Sequence, residues 1–198
     1  MTEVAKLIEQ FVAALNHNGL EPLFGKDVPC ELRTKELTDV PSMYRWEIRR
    51  ATDNAWVLPL ESRLPYPFPT MYRYLISQFK FAEFEIGPIM FLANTGKHDV
   101  FNELSRVWAN DAFPNELLRY GFLQFGRQAG GGYDPVCFAM KDRKKGDAPV
   151  VRLVHEEVLI RKRVRIQSEI APSFSEFVQR VIGGEIRIGS LKCRSRDS

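Results

Sequence analysis

Cysteine is scarce in this chain. The three cysteines, Cys30, Cys137 and Cys193, are widely spaced and never form a Cys-x-x-Cys pair. An odd count at such spacing argues against a disulfide framework and against a zinc cluster, and it implies reduced thiols in a reducing compartment. Histidine is as sparse, with only His17, His98 and His155. No two of them have the spacing that lets a pair of imidazoles share a metal on one helix face. An excess of one charge is also missing, since 28 Lys and Arg stand against 25 Asp and Glu, a net +3. A balance this even excludes nucleic-acid binding by the field of the whole fold. No apolar run approaches the ~20 residues of a membrane-spanning helix. The first residues, MTEVAKLIEQF, are acidic and amphipathic and lack the basic start and unbroken apolar stretch of a signal peptide. Together these absences point to a cytoplasmic location.

What is present is globular material. The chain has 198 residues, 44% of them hydrophobic and 27% charged, with 14 Phe. That length suits one domain able to bury roughly 70% of its unfolded surface.

Val4, Leu7, Ile8, Phe11, Val12 and Leu15 recur at helical spacing, with Thr2 placed to cap the start and Asn18-Gly19 to stop it. Tyr44, Trp46 and Ile48 alternate with Arg45, Glu47 and Arg49, which reads as a half-buried strand. Phe68, Met71, Tyr72, Leu75 and Phe79 form a helical face introduced by Pro69. Residues 84–86 and 88–93 read as one strand or as two short ones bent at Gly87-Pro88, and further strands are expected at 122–125, 136–140, 150–154 and within 158–166, with a helix over 101–108 and a short one over 114–119. Gly130-Gly131-Gly132 reads as a flexible loop. Ser173 and Glu176 form a capping box before the stripe Phe174, Phe177, Val178, Val181 and Ile182, and Gly183-Gly184 ends it. The tail 185–198 is polar, basic and expected to be loose. The layout is α+β: a single domain over residues 1–184 whose central, mainly antiparallel sheet is flanked by helices.

Candidate chemistry is thin. His155 precedes Glu156 and Glu157, a pairing that can serve acid–base work, though a polar loop where a strand ends is the favoured reading. No Ser sits in a Gly-x-Ser-x-Gly elbow. Cys137 lies between Val136 and Phe138, an apolar setting that raises a thiol pKa rather than activating it. A thiol–histidine enzyme built on Cys137 and His155 would need the two to meet across neighbouring strands. The glycines at 126 and 130–132 precede a strand, not the helix that a phosphate loop requires. Two basic runs, Lys141 to Lys145 and Arg161, Lys162, Arg163 and Arg165, could bind nucleic acid, but no recognised nucleic-acid motif accompanies them, and cations guarding loops and an edge strand account for both. Tyr66, Phe68, Tyr72, Tyr74 and Tyr133 sit near Pro- and Gly-rich stretches. Tyrosine is favoured at protein interfaces, although a chain this aromatic must bury most of its rings.

Three segments, in order, carry a resemblance. LESRLPYPFPTMYRYLISQFKF (60–81) resembles the Leu-Pro-x-x-Tyr-x-x-Leu helix of the SUKH superfamily, the fungal cell-wall regulator-like (Smi/Knr-type) domains. FGRQAGGGYDPVCFAM (125–140) resembles that family's Gly-Asp-Pro-x-Cys-Phe strand, with Tyr133 in place of the usual Gly. VVRLVHEEVL (150–159) and EIAPSFSEFVQRVI (169–182) resemble its closing strand, His-Glu turn and final helix. The resemblance covers about residues 40–183. It implies a mostly antiparallel sheet with helices around it and a non-enzymatic, cofactor-free role. Bacterial members are typically immunity proteins that neutralise a toxin, and fungal members are signalling scaffolds. The expected partner is therefore another protein, such as a polymorphic toxin domain, with contacts at Tyr133, Asp134, His155, Glu156 and Glu157.

Overall fold

The structure, a computed structural model, describes residues 2–95 and 112–188. The helix expected over 101–108, together with His98, Cys193 and the end of the tail, lies outside the described residues.

The chain opens with helix α1 (Glu3–Asn18), whose first turn is capped by Thr2 Oγ1 accepting from the Ala5 amide at 3.3 Å. Its buried stripe is Ile8, Phe11, Val12 and Leu15, and Gly19, at φ 79°, ends it. Short strands β1 (Leu23–Phe24), β2 (Arg33–Glu36) and β3 (Met43–Trp46) form a small antiparallel sheet in the order β1-β3-β2. The strand expected through Ile48 stops at Trp46. Ile48 is buried, and its amide and carbonyl are both bound by the side-chain amide of Asn16 at 2.9 Å, so α1 supplies what a neighbouring strand would have. β4 (Arg49–Arg50) then pairs with β5 (Phe79–Lys80), and between them lie α2 (Val57–Glu61) and α3 (Thr70–Gln78). Pro59 falls in the first turn of α2, where its missing N–H costs nothing.

The main sheet is an antiparallel meander of β6 (Phe84–Ile86), β7 (Ile89–Phe91), β8 (Phe122–Gln128), β9 (Pro135–Ala139), β10 (Val150–Leu153) and β11 (Ile166–Ala171). Each strand pairs with the next in sequence. Helix α4 (Ala112–Tyr120) precedes β8, α5 (His155–Arg161) lies between β10 and β11, and α6 (Phe174–Ile182) follows β11. This is the α+β architecture that the sequence predicts.

The continuous apolar run in β9 has a direct cause. Val136 and Phe138 enter the main core, while Cys137 and Ala139 enter a smaller cluster with Leu117, Val151, Leu153 and Val158 under α4 and α5. A strand buried on both faces shows no alternation. The main core is aromatic. Tyr72 sits among Phe125, Phe138 and Phe174 with ring centroids 5.0–5.7 Å apart, and Phe125 stacks on Phe138 at 4.1 Å. α1 and α6 pack against each other in this core.

Two further expectations are corrected. Residues 158–161 belong to a helix, not a strand, and β11 starts only at Ile166. Glu156 and Glu157 place negative charge in the first turn of α5, and Glu157 pairs with Arg161 one turn on at 2.8 Å, both of which favour helix. The tail is not loose from its first residue. Ile186 is buried against Gly87, whose amide donates to the Arg187 carbonyl at 2.9 Å. Gly87 has φ 53°, and a Cβ there would stand 2.7 Å from Ile186 Cγ2, so the β6–β7 turn needs glycine on two counts.

Candidate protein-binding surface

Pairing of β9 with β10 sets Val136 opposite Arg152, so the loop before β9 and the residues after β10 meet at one end of the sheet. The loop is Ala129–Asp134. Gly130 and Gly131 take consecutive positive φ values, 72° and 79°, a conformation open to glycine and strained for other residues. The expected flexibility is countered by three hydrogen bonds. The Gln128 amide donates to the Asp134 carbonyl (2.8 Å), the Ala129 amide to the Pro88 carbonyl (3.0 Å) and the Gly130 amide to Glu85 Oε1 (2.9 Å).

Asp134 ends the loop and holds the start of α5. Its Oδ1 accepts the His155 backbone amide at 3.1 Å and lies 2.8 Å from His155 Nδ1. A carboxylate that accepts this hydrogen bond assigns the proton of the contact to His155 Nδ1. Tyr133 stands beside this pair, its ring centroid 6.1 Å from that of His155, and it is 77% exposed.

The outer face of α5 continues the surface. Glu156, Leu159 and Ile160 fall at i, i+3 and i+4 and are all exposed, Ile160 at 77%. The sequence reading missed Leu159 and Ile160 because it placed them in a strand. The acidic first turn and the Glu157–Arg161 spacing were the signals that could have revealed them.

Glu157 does not join this surface. It is 7% exposed, and its carboxylate accepts from Arg163 Nε at 2.5 Å and Arg161 Nη1 at 2.8 Å. The Arg163 hydrogen bond, aided by the charges of Arg161, Arg163 and Arg165, holds its pKa below the ordinary carboxylate value. The same contacts bear on the basic run, because the single carboxylate of Glu157 engages both Arg161 and Arg163 and offsets part of the run's positive charge.

Cys137 is fully buried, and burial pushes its thiol pKa well up. A nucleophile needs an accessible thiolate, so Cys137 is not available to act with His155. Of the other aromatic candidates, Phe68 and Tyr72 are core residues and Tyr66 and Tyr74 pack partly against the core. Among the described residues, no three His, Cys, Asp or Glu are grouped to hold a metal ion, and no helix is long and apolar enough to cross a membrane.

No protein-family model matches the chain, and no curated protein matches it.

Proposed function

We propose that this chain is a non-enzymatic, cytoplasmic protein-binding module of the SUKH type that covers a surface of a partner protein, as an immunity protein covers a toxin. The observation that carries this reading is the exposed row of Tyr133, Glu156, Leu159 and Ile160 beside the half-buried His155 on a fixed frame. Exposed apolar side chains beside a tyrosine and a charge are the chemistry of interface hot spots. Fixing matters as much as composition. The Asp134–His155 bonds and the tied glycine loop hold Tyr133 and the start of α5 before a partner arrives, which lowers the ordering entropy lost on binding. The ordered motifs at 60–81, 125–140 and 150–182 support the family part of the reading, and the meander with helices on both faces agrees with the fold they imply.

The test is co-purification from the native host, with the wild-type chain against the double variant Tyr133→Ala, Ile160→Glu. A defined partner should accompany the wild type in constant ratio and be lost with the variant, while both chains show the same circular dichroism. If a toxin gene lies next to this one, co-expression should relieve its toxicity, and the variant should not. Equal recovery of the same partner by both chains, or a hydrolytic activity that follows the pure protein through purification, overturns the proposal.

A further inference from the structure

A cavity of about 620 Å³ opens where the start of α1, helix α2 and the start of α3 converge. Its size lies within the range of roughly 300–1,000 Å³ typical of small-molecule sites. Val4, Val57, Leu58 and Phe68 give it apolar walls, and Leu58 stands at 62% exposure. Three charged residues line it: Glu61, Arg73 and Arg143. Glu61 and Arg73 neutralise each other, with Arg73 Nε 3.1 Å from Glu61 Oε2, while Glu61 Oε1 accepts the Phe68 amide at 3.0 Å.

Arg143 is different. Among the described residues its side chain forms no ion pair and no hydrogen bond, and its Nε is buried without an acceptor. Its Nη2 lies 3.9 Å from where a Cβ on Gly146 would stand, and Gly146 itself packs on Thr70 at the start of α3. Its Nε, shielded from water without an acceptor, is a donor that an incoming anion would satisfy, and the guanidinium of this half-exposed residue can pair with that anion. The apolar part of the wall sets a second condition, since a ligand lying along it must carry an apolar body.

We propose that this cavity binds a small amphipathic monocarboxylate, its alkyl or aromatic body against Val57, Leu58 and Phe68 and its carboxylate on Arg143. The inference is independent of the protein-binding reading and involves none of its residues. Arg143 also borders a second cavity lined by Lys141, Lys144, Asp147 and Glu169, so the test must separate the two.

Octanoate and 1-octanol are titrated into the full-length protein by calorimetry and by heteronuclear NMR. Octanoate should bind saturably and at least about tenfold tighter than octanol, equivalent to about 1.4 kcal/mol. Arg143→Gln should bring octanoate down to the affinity of octanol. Leu58→Glu, at the exposed rim of the first cavity alone, should weaken octanoate by a similar factor. Lys145→Gln, which removes a nearby positive charge outside the cavity, should change nothing. Equal binding of octanoate and octanol, no binding of octanoate at millimolar concentration, or wild-type affinity in Arg143→Gln overturns the proposal. Loss in Arg143→Gln without loss in Leu58→Glu places the carboxylate in the second cavity and also overturns it. If Arg143→Gln does not fold, the octanoate–octanol comparison and Leu58→Glu decide.

Discussion

One oxygen of Asp134 receives two groups of His155, the backbone amide at 3.1 Å and ring Nδ1 at 2.8 Å. The carboxylate therefore fixes the start of a helix and the plane of an imidazole together. Asp134→Ala removes both bonds and should lower stability by about 1–2 kcal/mol, in the range of a lost helix cap. Urea denaturation measures that loss. Nitrogen-detected NMR of His155 should show the Nδ1-protonated tautomer in the wild type and a mixture in the variant. An unchanged tautomer population would exclude Asp134 as the group that sets it.

Tyr72 is enclosed by Phe68, Phe125, Phe138 and Phe174, and its hydroxyl finds no partner among the described residues. Burial pushes its phenol pKa well above the ordinary value. Tyr72→Phe should leave stability unchanged or raise it by up to about 1 kcal/mol, because it removes an unpaired buried hydroxyl and keeps the ring. Tyr72→Ala should lower it by about 3–5 kcal/mol. Thermal unfolding of the two variants gives the contrast, and a clear loss in Tyr72→Phe would mean that the hydroxyl has a partner.

Asn94 is a buried side chain with three hydrogen bonds. Its Oδ1 accepts the Phe81 amide at 2.9 Å, and its Nδ2 donates to the Phe79 carbonyl at 2.6 Å and the Ile76 carbonyl at 3.3 Å. It thus ties the end of α3 to the strand after it. Asn94→Ala leaves these backbone groups buried and unpaired, and should cost about 2–4 kcal/mol. Amide exchange should accelerate at Phe81 before it accelerates in β8 and β9.

The pH dependence of Glu157 has a definite sign. Its folded pKa is lowered, chiefly by the hydrogen bond from Arg163. The group therefore contributes stability above its unfolded pKa, and that contribution fades as pH falls through the lowered folded value. Glu157→Gln should be less stable than the wild type near neutral pH, and the two should converge in acid below the ordinary carboxylate range. Denaturation of both chains across that window provides the test, and a gap that stays constant with pH would refute it.

Thiol accessibility follows from burial alone. In a Cys30→Ser, Cys193→Ser background the native protein should not react with a thiol reagent, whereas the denatured protein should expose one thiol, that of Cys137. Rapid native reaction would reopen the thiol–histidine reading.

Much of the fold was legible because its signals are local. The Thr2 cap, the Ser173–Glu176 box and the glycines at 19 and 184 mark helix ends through bonds that span a few residues. The sequence was less informative where distant residues decide. Ile48 fits a strand pattern, but Asn16, thirty-two residues away, takes its hydrogen bonds. Val158 to Ile166 is rich in β-branched and charged residues and reads as strand, yet Val158 is drawn into the cluster beneath α5 and Glu157 gathers two arginines. Of the candidate surface, Tyr133, Asp134 and His155 were singled out from the sequence, and they meet at one sheet end because β9 pairs with β10 across a short charged hairpin. The inward turn of Glu157 and the outward turn of Ile160 were not legible, since both depend on a helix that the pattern did not show.

In the main sheet the order of strands along the chain and across the sheet is the same, so each of these strands leaving the ribosome after β6 finds its neighbour already made. The first helix is not so placed. α1 packs against α6, which is synthesised only after every strand of the main sheet. During translation the meander can pair strand by strand while one face of its aromatic interior stays open, and the core closes only when the final helix emerges. A chain stalled before residue 174 would present that open face to chaperones and to other unfinished copies, so α6 closes an exposure that the earlier elements create.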